Sequence, residues 1–115
     1  MKLAYICSPY RGDVKRNKAY ARELVRWAIE NGYTPICPHL YITEVLNDDN
    51  PAERKRGTLL GFYLLDACDV VIVGQKYGIS EGMSEEIKLG RGLGKQILDV
   101  YFFSEACSRQ YETKK

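Results

Sequence analysis

The sequence of 115 residues is poor in metal-binding side chains and has no long apolar run. It contains a single histidine, and none of its cysteines, Cys7, Cys37, Cys68 and Cys107, forms a Cys-x-x-Cys pair. We therefore expect no metal site and no bound cofactor, and we interpret the cysteines as buried free thiols. Because no stretch of about 18 apolar residues is present, we also expect no membrane span and a cytoplasmic location.

Basic and acidic residues are also nearly balanced in number. Lysine and arginine number 17 against 15 acidic residues, which gives a formal net charge of +2 spread along the chain. This distribution argues against a nucleic acid polymer as a partner, and we interpret the basic cluster at 54–56 as a solvated helix face. The length fits one domain over residues 1–115 and is too short for a separate lid, so an extra wall of an active site is expected from another subunit.

Strand-like and helix-like segments alternate along the whole chain. This alternation predicts an α/β fold with a mainly parallel sheet. We expect strands at 3–7, 33–37, 69–74 and 96–102. We expect helices at about 15–30, from 51 to near 67, from the segment after the third strand to the glycines at 90–94, and at 104–111. Between them, 39–50 has no clear period apart from a short helical turn at 42–46, and long loops of this kind are usually functional or mobile.

The segment 78–87, Gly-Ile-Ser-Glu-Gly-Met-Ser-Glu-Glu-Ile, follows a strand with the composition of a buried parallel strand and opens a helix. In open α/β sheets, ligands bind beyond the carboxyl ends of the strands, where helix N-termini offer N–H groups to anions. Glu85 and Glu86 project about 100° apart on a helix. Glu86 borders the packing face, whereas Glu85 falls toward solvent. Glu86 is either a first-turn charge favoured by the helix dipole or a nucleophile or base in a cleft.

Other candidates have two interpretations each. Arg11 lies in a loop at the carboxyl end of the first strand, where an arginine can bind a phosphate or carboxylate through two hydrogen bonds; the alternative is an exposed turn. Asp69 is either a structural residue at the end of the second long helix or an acid in the crevice. Its place at the amino end of its strand favours the structural role, because that end points away from the crevice.

Three motifs together carry a family resemblance: Tyr-Ile-Cys-Ser-Pro-Tyr-Arg-Gly at 5–12, Cys-Asp ahead of the third strand, and Ser-x-Gly-Met-x-x-Glu-Ile at 80–87. With these motifs the chain resembles the nucleoside 2-deoxyribosyltransferase-like superfamily, which includes deoxynucleoside monophosphate N-glycosidases, and in particular a branch found in bacteria and their phages. The resemblance implies a flavodoxin-like (Rossmann-like) three-layer sandwich around a sheet of four or five strands. It also implies cleavage of the bond between a deoxyribose and its base.

By this resemblance, Glu86 matches the glutamate that attacks the anomeric carbon, and Tyr5 matches the tyrosine that steadies it. Asp69 matches an aspartate of the sugar pocket, which either holds a sugar hydroxyl or assists the departing base. The residues expected to bind the substrate are Ser8, Tyr10, Arg11, Gly12, His39, Ser80, Gly82 and Met83.

The implied reaction is retaining glycosyl transfer through a covalent glycosyl-glutamate, with water or another base as the acceptor. The substrate is a small-molecule nucleoside or nucleoside monophosphate. Pro9 lacks an N–H donor and Glu81 adds negative charge, and both features disfavour phosphate. The alternative is a non-catalytic nucleotide-binding or sensing module with the same fold. By analogy with members that complete their sites across subunits, we expect a homo-oligomer.

Overall fold

The computed structural model describes residues 1–101, and over this range the chain forms an α/β fold on one parallel sheet. The strands are β1 (Lys2–Cys7), β2 (Tyr33–Ile36), β3 (Val70–Gly74) and β4 (Gln96–Val100). They lie in the order β2-β1-β3-β4. This is the order of the first four strands in a flavodoxin-like sheet. The predicted parallel α/β architecture is therefore confirmed.

The helices are α1 (Val14–Glu30), α2 (Ile42–Val45), α3 (Pro51–Ala67) and α4 (Glu81–Gly92), with a 3-10 turn (Pro38–Leu40) ahead of α2. Helix α3 begins where its cap predicts, since the Asn50 side chain accepts hydrogen bonds from the N–H groups of Ala52 and Glu53. Helix α4 ends at Gly92, within the glycine-rich segment 90–94 that is expected to end it. The predicted helix at 104–111 and the expected end of the last strand at 102 lie outside the described residues.

The buried side chains form one cluster on each face of the sheet. The first cluster joins Ala4 and Ile6 of β1 to Tyr20, Leu24 and Trp27 of α1. The second joins Tyr5 and Cys7 of β1 to Leu65 of α3 and Met83 of α4. Successive strand residues point to opposite faces, so β1 supplies both clusters and the fold has three layers. Tyr5 and Cys7 consequently face α3 and α4.

Helix α4 packs closely on β3. Gly90 is buried, and a Cβ atom at this position would lie 3.0 Å from Cγ2 of Val71 and 3.3 Å from Cδ1 of Ile97. With Met83, Gly90 forms the buried side of α4, as the helical spacing predicts. This packing fixes which side of α4 turns toward the sheet, and with it the direction of Glu86.

Cys7, Cys37 and Cys68 are buried free thiols, as expected, and Cys107 lies outside the described residues. Within residues 1–101, no three side chains of the histidine, cysteine, aspartate or glutamate type are grouped so that they could hold a metal ion. None of the helices in that range has the length and apolar character that crossing a membrane requires.

Candidate active site

A cleft of about 440 Å³ opens at the carboxyl edge of the sheet, beside the end of β1 and the start of α4. The chain turns from one side of the sheet to the other between β1 and β3, and ligands of such sheets bind at this switch point. The volume suits a small organic molecule. The predicted site residues that line the cleft are Tyr5, Ser8, Tyr10, Arg11, His39, Ser80, Gly82, Met83 and Glu86.

Glu86 reaches this cleft from the second turn of α4, on the side of Tyr5 and Cys7 of β1. The Tyr5 hydroxyl donates a hydrogen bond to Oε2 of Glu86. The Cys7 thiol donates to the carbonyl oxygen of Met83, which lies 3.7 Å from Sγ, and it lies near the Glu86 carboxylate. Tyr5 and Cys7 are alternate residues of one strand, so they approach Glu86 from the same face of the sheet.

Burial raises the pKa of Glu86 to about 7, and the nearby charge of Glu85 acts in the same direction. The hydrogen bond from Tyr5 and the nearby Cys7 thiol lower this pKa, because they favour the ionised carboxylate. Burial and the negative charge of Glu86 in turn raise the pKa values of the Tyr5 hydroxyl and the Cys7 thiol well above their ordinary values. Both groups therefore stay protonated at neutral pH and remain donors.

The start of α4 supplies the floor of the cleft. The Ser80 hydroxyl caps the helix, accepting a hydrogen bond from the Met83 N–H at 3.2 Å. The N–H groups of Glu81 and Gly82 lie in the first turn, where no carbonyl of the helix can accept from them. A ligand with an acceptor oxygen is the natural partner for such groups.

Ser8, at the end of β1, has an unusual hydroxyl. Only 1% of the side chain is exposed, and Oγ has no hydrogen-bond partner among residues 1–101. Leaving a buried polar group unpaired costs about 1–3 kcal/mol. Ser8 also lines the cleft, so a bound ligand comes close to this hydroxyl, although Oγ itself has almost no accessible surface.

His39 and Tyr10 form the wall next to Ser8. Nε2 of His39 lies 3.0 Å from the Ser8 carbonyl oxygen, and the rings of His39 and Tyr10 are tilted with centroids 5.2 Å apart. Burial lowers the pKa of His39, so the ring is neutral at neutral pH. Nε2 then donates to the carbonyl oxygen, which leaves Nδ1 as an acceptor.

Arg11 lines the cleft but already has an acidic partner. Its Nε lies 3.1 Å from Oδ2 of Asp48, and about half of its side chain is exposed. Gly12 does not line the cleft. It shapes the turn after β1, with a φ of 97° that side-chain-bearing residues rarely adopt.

The structure does not bring Asp69 together with Glu86. Asp69 precedes β3 at the amino edge of the sheet, where its Oδ2 accepts a hydrogen bond from the Leu3 N–H at 3.1 Å. Its own N–H donates to the Leu3 carbonyl oxygen. These contacts extend the pairing of β1 and β3. They agree with the structural role that the position of Asp69 at the amino end of its strand favours. Asp69 is not among the residues that line the cleft.

Two contributors to the site were missed in the sequence. Cys7 was interpreted only as a buried thiol, although the two-residue strand period places it on the same face as Tyr5. Helix α3 was interpreted only as a packing helix, yet Gly57 and Gly61 line the cleft. Two glycines one helical turn apart were the available signal, since glycine is unfavourable inside helices.

A family model described as a domain of unknown function, DUF7768, matches residues 2–100. The chain belongs to this family. No match was found among curated proteins. The description of the family names no activity.

Solved structures share the fold of this DUF7768 domain at low sequence identity. A 2-deoxyribosyltransferase from Leishmania mexicana superposes with a TM-score of 0.62 at 19% identity, over 88% of this chain and 65% of the enzyme. A 2-deoxyribosyltransferase from Bacillus psychrosaccharolyticus has a TM-score of 0.62 at 17% identity, over 84% of this chain and 70% of that one.

A CMP N-glycosidase from Clostridium botulinum has a TM-score of 0.55 at 17% identity, over 97% of this chain and 82% of its own. The chain spans just under two thirds of the length of the Leishmania enzyme. These likenesses confirm that the chain has the fold of the nucleoside 2-deoxyribosyltransferase-like superfamily.

Proposed function

We propose that this protein cleaves the bond between the base and the sugar of a nucleoside or nucleoside monophosphate, with Glu86 as the nucleophile. The observation that carries the proposal is the position of Glu86: a partly buried carboxylate in the cleft, held by the Tyr5 hydroxyl. The shared fold of two 2-deoxyribosyltransferases and a CMP N-glycosidase supports the same chemistry.

In the first step, a Glu86 oxygen forms a bond to the anomeric carbon while the bond from that carbon to the base nitrogen breaks. The base leaves with the electron pair of that bond and takes up a proton from water. In the second step, water or another base attacks the anomeric carbon, loses a proton to the solvent, and breaks the bond to Glu86; water gives the free sugar and a base gives a new nucleoside. The carboxylate stabilises the positive charge that develops on the sugar, and Tyr5 holds this carboxylate in place before the substrate arrives.

Only the ionised form of Glu86 can act as the nucleophile. Since its pKa is about 7, we expect base release to increase as the pH rises through neutrality. The Tyr5 hydroxyl opposes the effect of burial, so it keeps a useful fraction of Glu86 ionised at neutral pH.

The remaining groups suggest how the substrate is oriented. The Ser8 hydroxyl and the first N–H groups of α4 suit an anionic or hydroxyl oxygen of the substrate. The neutral ring of His39, next to Tyr10, suits the base, because Nδ1 can accept a hydrogen bond from an amino group. Glu81 and Glu85 also line the cleft, and Arg11 is paired with Asp48. Because these charges disfavour a phosphate group, the proposal includes nucleosides as well as monophosphates.

The direct test is release of free base. The purified protein is incubated with a panel of deoxynucleosides, ribonucleosides and their monophosphates, and free base is separated by chromatography. Glu86→Gln removes the nucleophile, whereas Glu85→Gln, its matched control, removes a neighbouring charge. We expect release by the wild type and by Glu85→Gln but not by Glu86→Gln. No release by the wild type, or equal release by Glu86→Gln, would refute the proposal.

A second candidate is a nucleotide-binding or sensing module without turnover. The observation that favours it is the pKa of Glu86, about 7, because a large fraction of the carboxyl group is then protonated and not nucleophilic at neutral pH. Calorimetry with the same panel separates the two functions. Binding without base release at pH 8, where Glu86 is ionised, would support the module.

Association into a homo-oligomer is also part of the proposal. Leu59, Leu60 and Tyr63 of α3 are exposed by 49%, 41% and 75%, and burial of such side chains between subunits is favourable. Light scattering at working concentration measures the mass, and a monomer would contradict this expectation.

A further inference from the structure

Helix α3 passes over the cleft with two glycines, Gly57 and Gly61, one turn apart. After proline, glycine is the least favourable residue inside a helix, so a pair on one side requires a local reason. At Gly57 the reason is not space, because among residues 1–101 a Cβ atom there would meet only Ile42 and Leu46, at an ordinary contact distance of 3.8 Å.

Gly61 differs from Gly57 in what lies next to it. The residue is buried, and a Cβ atom at this position would lie 3.2 Å from the Tyr5 hydroxyl oxygen and 4.0 Å from Oε2 of Glu86. The first distance is tighter than ordinary van der Waals contact. Tyr5 has little room to move away, since only 1% of it is exposed and it packs with Leu65 and Met83 in the core.

We propose that Gly61 is a positioning residue: its missing side chain lets α3 lie against the Tyr5 hydroxyl and keep that hydroxyl on Glu86. Gly61 acts through Tyr5 and does not itself take part in the reaction. The catalytic consequence rests on the proposed glycosidase function, whereas the structural consequence does not. A side chain at position 61 crowds the Tyr5 hydroxyl, and displacement of this hydroxyl weakens its hydrogen bond to Glu86.

The protonation of Glu86 reports on this hydrogen bond. The groups that act on its carboxylate are Tyr5 and Cys7 from β1 and the charge of Glu85 from α4. Gly61 adds no charge, so a substitution there changes the titration of Glu86 only by altering the geometry of these groups or the exposure of the carboxylate. Loss of the Tyr5 donor disfavours the ionised form and moves the titration to higher pH.

The first experiment compares Gly61→Ala with its matched control Gly57→Ala in the full chain. Carbon-13 NMR follows the titration of Glu86, whose signal is assigned by its loss in Glu86→Gln. We expect Gly61→Ala to raise the midpoint by about one pH unit, a tenfold change in the proton equilibrium. Gly57→Ala should titrate as the wild type does. A wild-type midpoint in Gly61→Ala, or an equal shift in both variants, would overturn the proposal.

The second experiment tests whether the effect passes through the Tyr5 oxygen. Tyr5→Phe removes that oxygen, and a double-mutant cycle compares thermal unfolding midpoints with and without it. We expect Gly61→Ala to lower the midpoint by about 5 °C when Tyr5 is present and to leave it unchanged or higher in combination with Tyr5→Phe.

If Gly61→Ala alone does not fold, folding of the double variant supports the proposal, and failure of both variants overturns it. An equal loss in the two backgrounds also overturns it. If the wild type releases no base, the glycosidase function fails, yet the titration and the cycle still decide the role of Gly61.

Discussion

The Tyr5 hydroxyl on β1 donates a hydrogen bond to Oε2 of Glu86 on α4, and so joins two residues 81 positions apart. Hydrogen bonds to charged groups contribute about 1.5–3 kcal/mol. This contact ties the helix that carries the proposed nucleophile to a central strand of the sheet. It also opposes the effect of burial on Glu86, and its strength therefore governs both the position and the charge of the carboxylate.

The stability of the protein should depend on pH through Glu86. Its pKa rises from an ordinary 4.5 to about 7 in the folded state. The folded state thus binds this proton more tightly than the unfolded state, so the associated stability is present below pH 4.5 and is lost as the pH rises through 7. At pH 8, Glu86→Gln should exceed the wild type in unfolding free energy by up to about 3 kcal/mol.

Urea denaturation at pH 5 and pH 8 measures this difference. Glu85→Gln is the matched control: Glu85 is exposed, and the loss of its charge should lower the pKa of Glu86 and reduce the pH dependence, whereas Glu86→Gln should abolish the contribution of this carboxyl group. The same pH dependence in the wild type and in Glu86→Gln would contradict the prediction.

Tyr5→Phe should shift the pH dependence of base release to higher pH. The substitution removes a hydrogen bond that favours the ionised carboxylate, so the pKa of Glu86 increases. From the strength of hydrogen bonds to charged groups, we expect a shift of about one to two pH units. The measurement is the release rate between pH 5 and pH 9 at saturating substrate.

Tyr63→Phe serves as the control for Tyr5→Phe. Tyr63 is 75% exposed on α3, so the loss of its hydroxyl should leave the profile unchanged. A profile of Tyr5→Phe that coincides with the wild type would show that this hydroxyl does not influence the reacting carboxylate.

Ser8→Ala should have different effects on substrate binding and on the stability of the fold. The Ser8 hydroxyl is buried without a protein partner, so its removal should leave the unfolding free energy unchanged or raise it by about 1 kcal/mol. If the hydroxyl contacts the substrate phosphate, KM for the monophosphate should increase about tenfold, whereas KM for the matching nucleoside should stay the same. Thermal denaturation and steady-state kinetics test the two parts. An equal change in both KM values would place Ser8 away from the phosphate.

Asp69→Ala should weaken the fold without affecting the reaction. The Asp69 carboxylate accepts a hydrogen bond from the Leu3 N–H at the amino edge of the sheet, and its loss should cost about 1 kcal/mol. We expect kcat/KM to remain within about twofold of the wild type. Asp69→Asn retains an acceptor oxygen and should recover most of the stability. A large fall in kcat/KM in both variants would instead indicate the sugar-pocket role that the family resemblance implies.

Several features of the site follow from sequence patterns that act over short distances. The helical spacing in α4 places Met83 and Gly90 on the buried side and Glu86 beside them, with Glu85 turned to solvent. The alternation of strands and helices predicts a parallel sheet whose carboxyl edge holds a cleft. Both patterns can be interpreted from the sequence because the periods of helices and strands are properties of the local backbone.

Contacts between elements distant in the chain could not be derived in this way. Three such contacts depend on how the helices pack on the sheet: Tyr5 with Glu86, Asp48 with Arg11, and Gly61 with Tyr5. The pairing of β3 with β1 also sets the position of Asp69. Its register places Asp69 opposite Leu3 at the amino edge of the sheet, away from the cleft.

The sequence by itself determined the class of fold, the edge of the sheet that carries the cleft, and the glutamate that borders it. Only the tertiary structure decided which groups hold that glutamate and what its pKa is. The reason is physical: periodicity sets the direction of a side chain within its own element, whereas desolvation and hydrogen bonding depend on what other elements bring within a few ångströms.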